Sequence, residues 1–137
     1  MAHSSKESYT GKTILLADDD PDFLEQHKMY LEILGFTVIP VESQQEAEEI
    51  IENGKFDIAV FDLMMENEDS GFILAYKSKK KSPNLPVIIV TSVTNETGLK
   101  FDAATEESRN WVKADIMLDK NLRFEQLERA IHTLMPL

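Results

Sequence analysis

The chain has 137 residues, no cysteine and a formal net charge of −11, from 25 acidic and 14 basic residues. That length supports about one domain, with a core large enough to fold without a disulfide or a metal staple. The absence of cysteine excludes disulfides, thiolate metal sites and cysteine nucleophiles, and the acidity disfavours direct binding to nucleic acid or anionic membranes.

Residues 1–11 are polar and lack the apolar core of a signal peptide, so a flexible N-terminal arm is expected there, ahead of one domain over 12–137. No apolar run approaches the roughly 20 residues of a membrane span. No membrane insertion is expected, and the composition suits a reducing cytoplasm.

"TILLA" (13–17) reads as the first strand. Asp20 followed by Pro21 reads as an N-cap with proline at the first helical position. The helix continues through Phe23, Leu24, His27, Leu31 and Leu34, and Gly35 ends it. "FTVIPV" (36–41) is a second strand. "SQQE" (43–46) is a capping box that opens a helix through Ala47, Ile50 and Ile51, stopped at Gly54. "DIAVF" (57–61) is a third strand. Gly71 to Lys80 is a helix whose end carries the basic run "KSKKK" (77–81), read as a solvated helix terminus that suits the helix dipole. "LPVIIV" (85–90) and "DIMLD" (115–119) are the fourth and fifth strands. Between them, Thr94 to Ala114 carries no clean helical stripe, and a helix is expected only near Glu106 to Trp111. The last helix runs through Phe124, Leu127, Ala130, Ile131 and Leu134.

Strands one, three and four are nearly continuous in apolar residues, the pattern of strands buried on both faces of a parallel sheet. Strands alternating with helices then predict a single doubly wound α/β domain with about five helices. In such a sheet, ligands bind beyond the carboxyl ends of the strands, where the strand order reverses. Those ends carry Asp18, Asp19 and Asp20, then Asp62, then Thr91 and Ser92, then Asp119 and Lys120. If strands one and three are neighbours, carboxylates converge there. Converging carboxylates repel unless a cation intervenes. Mg²⁺ resolves that conflict, since it takes oxygen ligands, needs few protein carboxylates and keeps positions for phosphate oxygens. The set points to phosphoryl transfer, with a carboxylate nucleophile and a lysine and a hydroxyl to hold the transferring group.

The stretches "ILLADDDPDF", "IAVFDLMM", "PVIIVTS" and "IMLDKN", in that order, with Gly71 opening the third helix, make the chain resemble the receiver domains of two-component response regulators. The resemblance covers about residues 12–135. It implies a flavodoxin-like sheet of order 2-1-3-4-5. It implies Asp62 as phospho-acceptor and Asp18 and Asp19 as the acidic pair for Mg²⁺, helped by Asp62 and the backbone carbonyl of Met64. Thr91 is then the switch hydroxyl and Lys120 the phosphate-contacting lysine. A histidine kinase or phosphotransfer protein is the implied donor, with a downstream protein partner reading residues 94–120. The resemblance also implies slow self-dephosphorylation, and either a stand-alone receiver or a piece of a longer regulator.

Four departures bear on these expectations. Glu66 stands where the family usually has proline, and its acidic loop looks one residue longer, which places extra negative charge near the site. Asn121 follows Lys120 where the family has a proline in a cis bond. A cis bond without proline costs about 3 kcal/mol, which leaves the isomer of this bond open; a trans bond would bring Lys120 to the site by a different path. Met117 replaces the usual aromatic switch. The stretch from Thr91 to Lys120 looks about seven residues longer than the family norm. Two other readings compete. A phosphorylation-independent interaction module on the same fold is one. A metal-dependent phosphohydrolase is the other, disfavoured because Met64 stands where that chemistry wants a second aspartate. "DDDPD" lacks the glycine and glutamate of a calcium-binding EF-hand loop. Asp20 reads as a cap, Ser92 as a wall, and His3, His27 and His132 as ordinary surface or half-buried residues. Trp111 reads as packing its connection down.

Overall fold

The computed structural model describes residues 9–92, 114–121 and 123–136. β1 (Thr13–Ala17), α1 (Pro21–Ile33), β2 (Thr37–Val41), α2 (Gln44–Asn53), β3 (Ile58–Asp62), α3 (Ser70–Lys81), β4 (Val87–Thr91), β5 (Ile116–Asp119) and α4 (Phe124–Leu134) follow in chain order. The strands form one parallel sheet of order β2-β1-β3-β4-β5. The described residues thus contain four helices. The short helix expected near Glu106 to Trp111, and the whole stretch 93–113, lie outside them.

β1, β3 and β4 are apolar along most of their length, yet their residues alternate between two cores. Ile14, Leu16, Ile58, Val60, Ile88 and Val90 face α1 and α4, packing on Leu24, Leu31, Leu127 and Ile131. Leu15, Ala17, Ala59, Phe61, Val87 and Ile89 face α2 and α3, packing on Ala47, Ile51, Leu74 and Ala75. Each fully buried aliphatic side chain contributes about 1.5–3 kcal/mol, so both faces hold the sheet in register. Pro40 sits in β2 opposite Leu16, and the missing N–H is tolerated because β2 is an edge strand.

The caps follow the sequence closely. The Asp20 side chain accepts from the Asp22 N–H at 3.0 Å, and the Ser43 Oγ from the Glu46 N–H at 3.1 Å. The expected capping box is half formed, because Glu46 Oε1 accepts from the Glu42 N–H, one residue before the cap. The basic end of α3 is more engaged than a solvated terminus. Lys79 pairs with Asp115 at 2.7 Å, and Lys81 Nζ donates to the carbonyls of Ile51 and Glu52, which end α2.

The expected arm over 1–11 also needs correction. Tyr9 is 2% exposed and belongs to the α1–α4 core. Its ring stacks on Phe36 and its hydroxyl meets His132 Nδ1 at 2.9 Å and donates to the Met135 carbonyl at 3.0 Å. The packed chain therefore begins by Tyr9, while residues 1–8 lie outside the described set. Gly35, at φ +110°, makes room for this crossing, since a Cβ there would stand 2.7 Å from the Thr10 nitrogen.

Candidate functional site

The strand order reverses between β1 and β3, which are neighbours although β2 separates them in sequence. Asp18 follows β1 directly, and Asp62 is the last residue of β3, inside the strand rather than beyond it. Both side chains are buried, Asp18 completely and Asp62 to 4% exposure. Asp19 is exposed. Carboxylate oxygens of Asp18, Asp19 and Asp62 lie within 4.8 Å of one another.

Lys120 enters from the end of β5. Its ammonium lies 3.0 Å from Asp18 Oδ1 and 3.3 Å from Asp62 Oδ2, 5.3 Å from the centre of the Phe23 ring. Its backbone N–H donates to the Thr91 carbonyl at 2.9 Å, continuing the β4–β5 ladder. The described peptide bonds are all trans, including Lys120–Asn121, which the sequence left open, and the ammonium reaches both carboxylates. Thr91 ends β4 and is buried, whereas Ser92 beside it is exposed. Met64 lies two residues past Asp62 in the exposed β3–α3 loop, and Met117 packs on the α2–α3 core.

Burial dominates the electrostatics. It pushes the Asp62 carboxyl up to about 7, with the neighbouring Asp18 charge adding to the effect and Lys120 opposing it. Asp18 is raised by the same desolvation, against the pull of the Asp20 N–H and Lys120. For Lys120, burial acts downward, yet the hydrogen bonds and charges of Asp18 and Asp62 outweigh it and hold the ammonium above its ordinary range. One cation thus serves two buried acids.

A divalent ion fits this donor set. Asp18 Oδ2 is buried and accepts no hydrogen bond among the described residues, in a protein interior where such atoms normally find partners. With Asp19 and Asp62 it supplies the hard, charged oxygens that Mg²⁺ prefers.

The loop from Leu63 to Asp69 is fastened at both ends. The Leu63 N–H donates to the Val90 carbonyl, and the Leu63 carbonyl accepts from the Gly71 N–H at 2.8 Å. Gly71 is required by close approach, since a Cβ there would meet Leu63 Cα at 2.7 Å and the Asp62 carbonyl at 2.9 Å. Glu66 does not stand free beside the site. Its Oε1 accepts the Gln44 N–H at 2.8 Å, at the positive end of α2. The same first turn of α2 holds Asn67 and Ser70 through the Gln44 side chain. Sequence reasoning missed this network, and it missed Phe23 beneath Lys120. Gln44 read as one letter of a capping box and Phe23 as core, and partners 23 and 26 residues away leave no local signal.

A fold and an acid–lysine cluster of this kind define a class, and comparison with known proteins gives the same class. The family model "Response regulator receiver domain" matches residues 14–132. The chain belongs to the response regulator receiver domain family. Response regulator GtcR of Aneurinibacillus migulanus is 32% identical over 133 aligned residues, covering 89% of this chain and 54% of that protein. Heme response regulator HssR of Staphylococcus saprophyticus is 39% identical over 80 residues, 58% of this chain and 35% of that one. The chain therefore spans about half, or less, of these relatives. Among solved structures, a CheY-like receiver domain protein of Methanospirillum hungatei is 28% identical with a TM-score of 0.71, covering 90% of this chain and 93% of the other. The non-phosphorylated HemR receiver domain of Leptospira biflexa is 26% identical with a TM-score of 0.73, covering 92% and 95%. Membership makes this a signalling domain of two-component systems. No helix among the described residues is long and apolar enough to cross a membrane.

Proposed function

We propose that this receiver takes a phosphoryl group on Asp62 from a histidine kinase or phosphotransfer protein in the cytoplasm, with Mg²⁺ held by Asp18, Asp19, Asp62 and the Met64 carbonyl. The observation that carries this reading is the convergence of two buried carboxylates on one ammonium at the strand-order reversal.

An Asp62 oxygen attacks the donor's phosphorus. The phosphorus–nitrogen bond of the donor phosphohistidine breaks, its electron pair stays on the imidazole nitrogen, and an acyl phosphate forms. Bound Mg²⁺ supplies positive charge that offsets the carboxylates and the phosphoryl oxygens. An ion held there would also favour the ionised Asp62, which burial and the neighbouring Asp18 charge disfavour. Lys120 keeps its proton throughout and moves its ammonium from the carboxylates toward the new phosphoryl oxygens, and the Thr91 hydroxyl holds another of them. Water returning to the phosphorus releases phosphate slowly and restores the carboxylate. The two packings differ in how a partner meets residues 94–120, most of which lie outside the described set, and unequal binding to the two states transmits the signal.

Intact-mass measurement after incubation with acetyl phosphate tests the acceptor. A gain of one phosphoryl group that needs Mg²⁺ and vanishes in Asp62→Asn is expected. If neither acetyl phosphate nor a panel of histidine-kinase donors labels the wild type, the assignment fails.

A further inference from the structure

The hydrogen bonds of the β3–α3 loop lead to one carbonyl. Met64 contributes its C=O, and Met65 its N–H, to the same peptide unit. That unit is planar and trans, so the two groups point in opposite directions. The Met65 N–H donates to the Asn67 carbonyl at 3.2 Å. Wherever Asn67 is held, the Met64 carbonyl is therefore aimed the opposite way.

Asn67 is held from outside the loop. Its Nδ2 donates to Gln44 Oε1 at 3.0 Å, and its backbone N–H donates to Ser70 Oγ at 3.1 Å. Ser70 is fully buried, and its hydroxyl donates to the same Gln44 oxygen at 2.7 Å. The orientation of the Gln44 amide is set in turn, because its Nε2 donates to Glu48 Oε2 at 2.8 Å, which Lys77 pairs at 3.2 Å. One side-chain amide on α2 thus ties down Asn67 and Ser70 together, alongside the Ser70 N–H and hydroxyl that contact the Asn67 carbonyl at 3.3 and 3.1 Å.

We propose that Gln44 is a positioning residue for the metal site, acting through Asn67 and the Met64–Met65 peptide to aim the Met64 carbonyl. The proposal rests on the reading of that carbonyl as a Mg²⁺ ligand. The ion makes the dependence sharp, since Mg²⁺ demands near-ideal octahedral geometry and tolerates a rotated ligand poorly. Gln44 is not a catalytic residue, because its hydrogen bonds go to Glu48, Glu66, Asn67 and Ser70 rather than to Asp18, Asp62 or Lys120.

Calorimetric titration of Mg²⁺ into the metal-free chain tests this, with Tm measured alongside. Gln44→Ala and Asn67→Ala are each expected to weaken Mg²⁺ binding about 10-fold, the lower end for losing a partner that orients a metal ligand. The double variant should be no weaker than either single one, because both act through one contact. Tyr9→Phe, far from the site, serves as a control that loses stability and keeps Mg²⁺ affinity. Unchanged affinity in Gln44→Ala overturns the proposal while leaving the acceptor reading intact, as does additive weakening in the double variant. A wild type that binds no Mg²⁺ overturns both.

Discussion

At the scale of single residues, the chemistry turns on one ammonium between two buried acids. Removing the metal leaves Asp62 with a proton affinity lifted from 3.8 to about 7, first by burial and then by Asp18. Below pH 4 both the folded and unfolded chains hold this proton. Between about pH 4 and 7 the unfolded chain releases it first, so this group costs the metal-free fold stability as pH rises through that window. In EDTA, raising the pH from 5 to 8 should therefore lower the wild-type Tm more than that of Asp62→Asn. At pH 8 the variant should be more stable by about 4 kcal/mol, given about 1.4 kcal/mol per pH unit over a displacement of about 3 pH units, which is roughly 14 °C in Tm. Mg²⁺ should raise the wild-type Tm at pH 8 and leave Asp62→Asn nearly unmoved. A wild type and variant with parallel pH profiles in EDTA would sink this account. Lys120→Met removes the one cation that pairs with Asp18 and Asp62 among the described residues and should destabilise the metal-free chain by about 3 kcal/mol, since it strands buried acid groups. Thermal melts with and without Mg²⁺ read that difference directly.

At the scale of elements, short local devices place the site. Proline at the start of α1, behind the Asp20 cap, starts the helix just past the acidic pair and leaves the strand end open. Gly71 lets α3 begin against the backbone of Leu63 and Asp62. The Cβ of Gly71→Ala would meet backbone on two sides, so the loop must shift, and a cost of about 2–3 kcal/mol in chemical denaturation is expected, together with weaker Mg²⁺ binding. A stability change within 0.5 kcal/mol, by the usual range for harmless surface changes, would show that the close approach is not needed. The Glu66 carboxylate illustrates how an element changes a residue's meaning. In sequence it adds negative charge beside the site, whereas in the fold it caps the first turn of α2.

At the scale of the whole molecule, two cores share one sheet, and the segment before β1 belongs to one of them. Tyr9 links α4 to the turn after α1 through its stack on Phe36 and its hydroxyl on His132 and Met135. Deleting residues 1–11 should cost about 3 kcal/mol, comparable to removing a large buried aromatic side chain. Tyr9→Phe should cost about 1 kcal/mol, for the hydroxyl alone. If the truncated chain melts with the full one, Tyr9 contributes nothing to the fold. Deleting only residues 1–8 provides the comparison that isolates Tyr9.

The sequence by itself determined where the elements lie and which residues stand at their carboxyl ends, because both signals are local. Apolar runs between "TILLA" and "IMLD", a cap ahead of Pro21 and a glycine at Gly35 each act within a few residues. β1 and α4 match their expected bounds, and the other strands differ by one or two residues. Asp18, Asp19, Asp62, Thr91 and Lys120 were legible for the same reason. Tertiary structure decided the rest. Lys120 meets Asp18 and Asp62 across 102 and 58 residues of chain, and only the strand order brings them within 3.3 Å. The high proton affinity of Asp62 follows from burial, which no spacing encodes. The inward packing of Tyr9 and the aim of the Met64–Met65 peptide depend on partners in other elements, Phe36 and α4 in one case and Gln44 in the other. Periodicity reports which face a side chain takes; it cannot report what waits there.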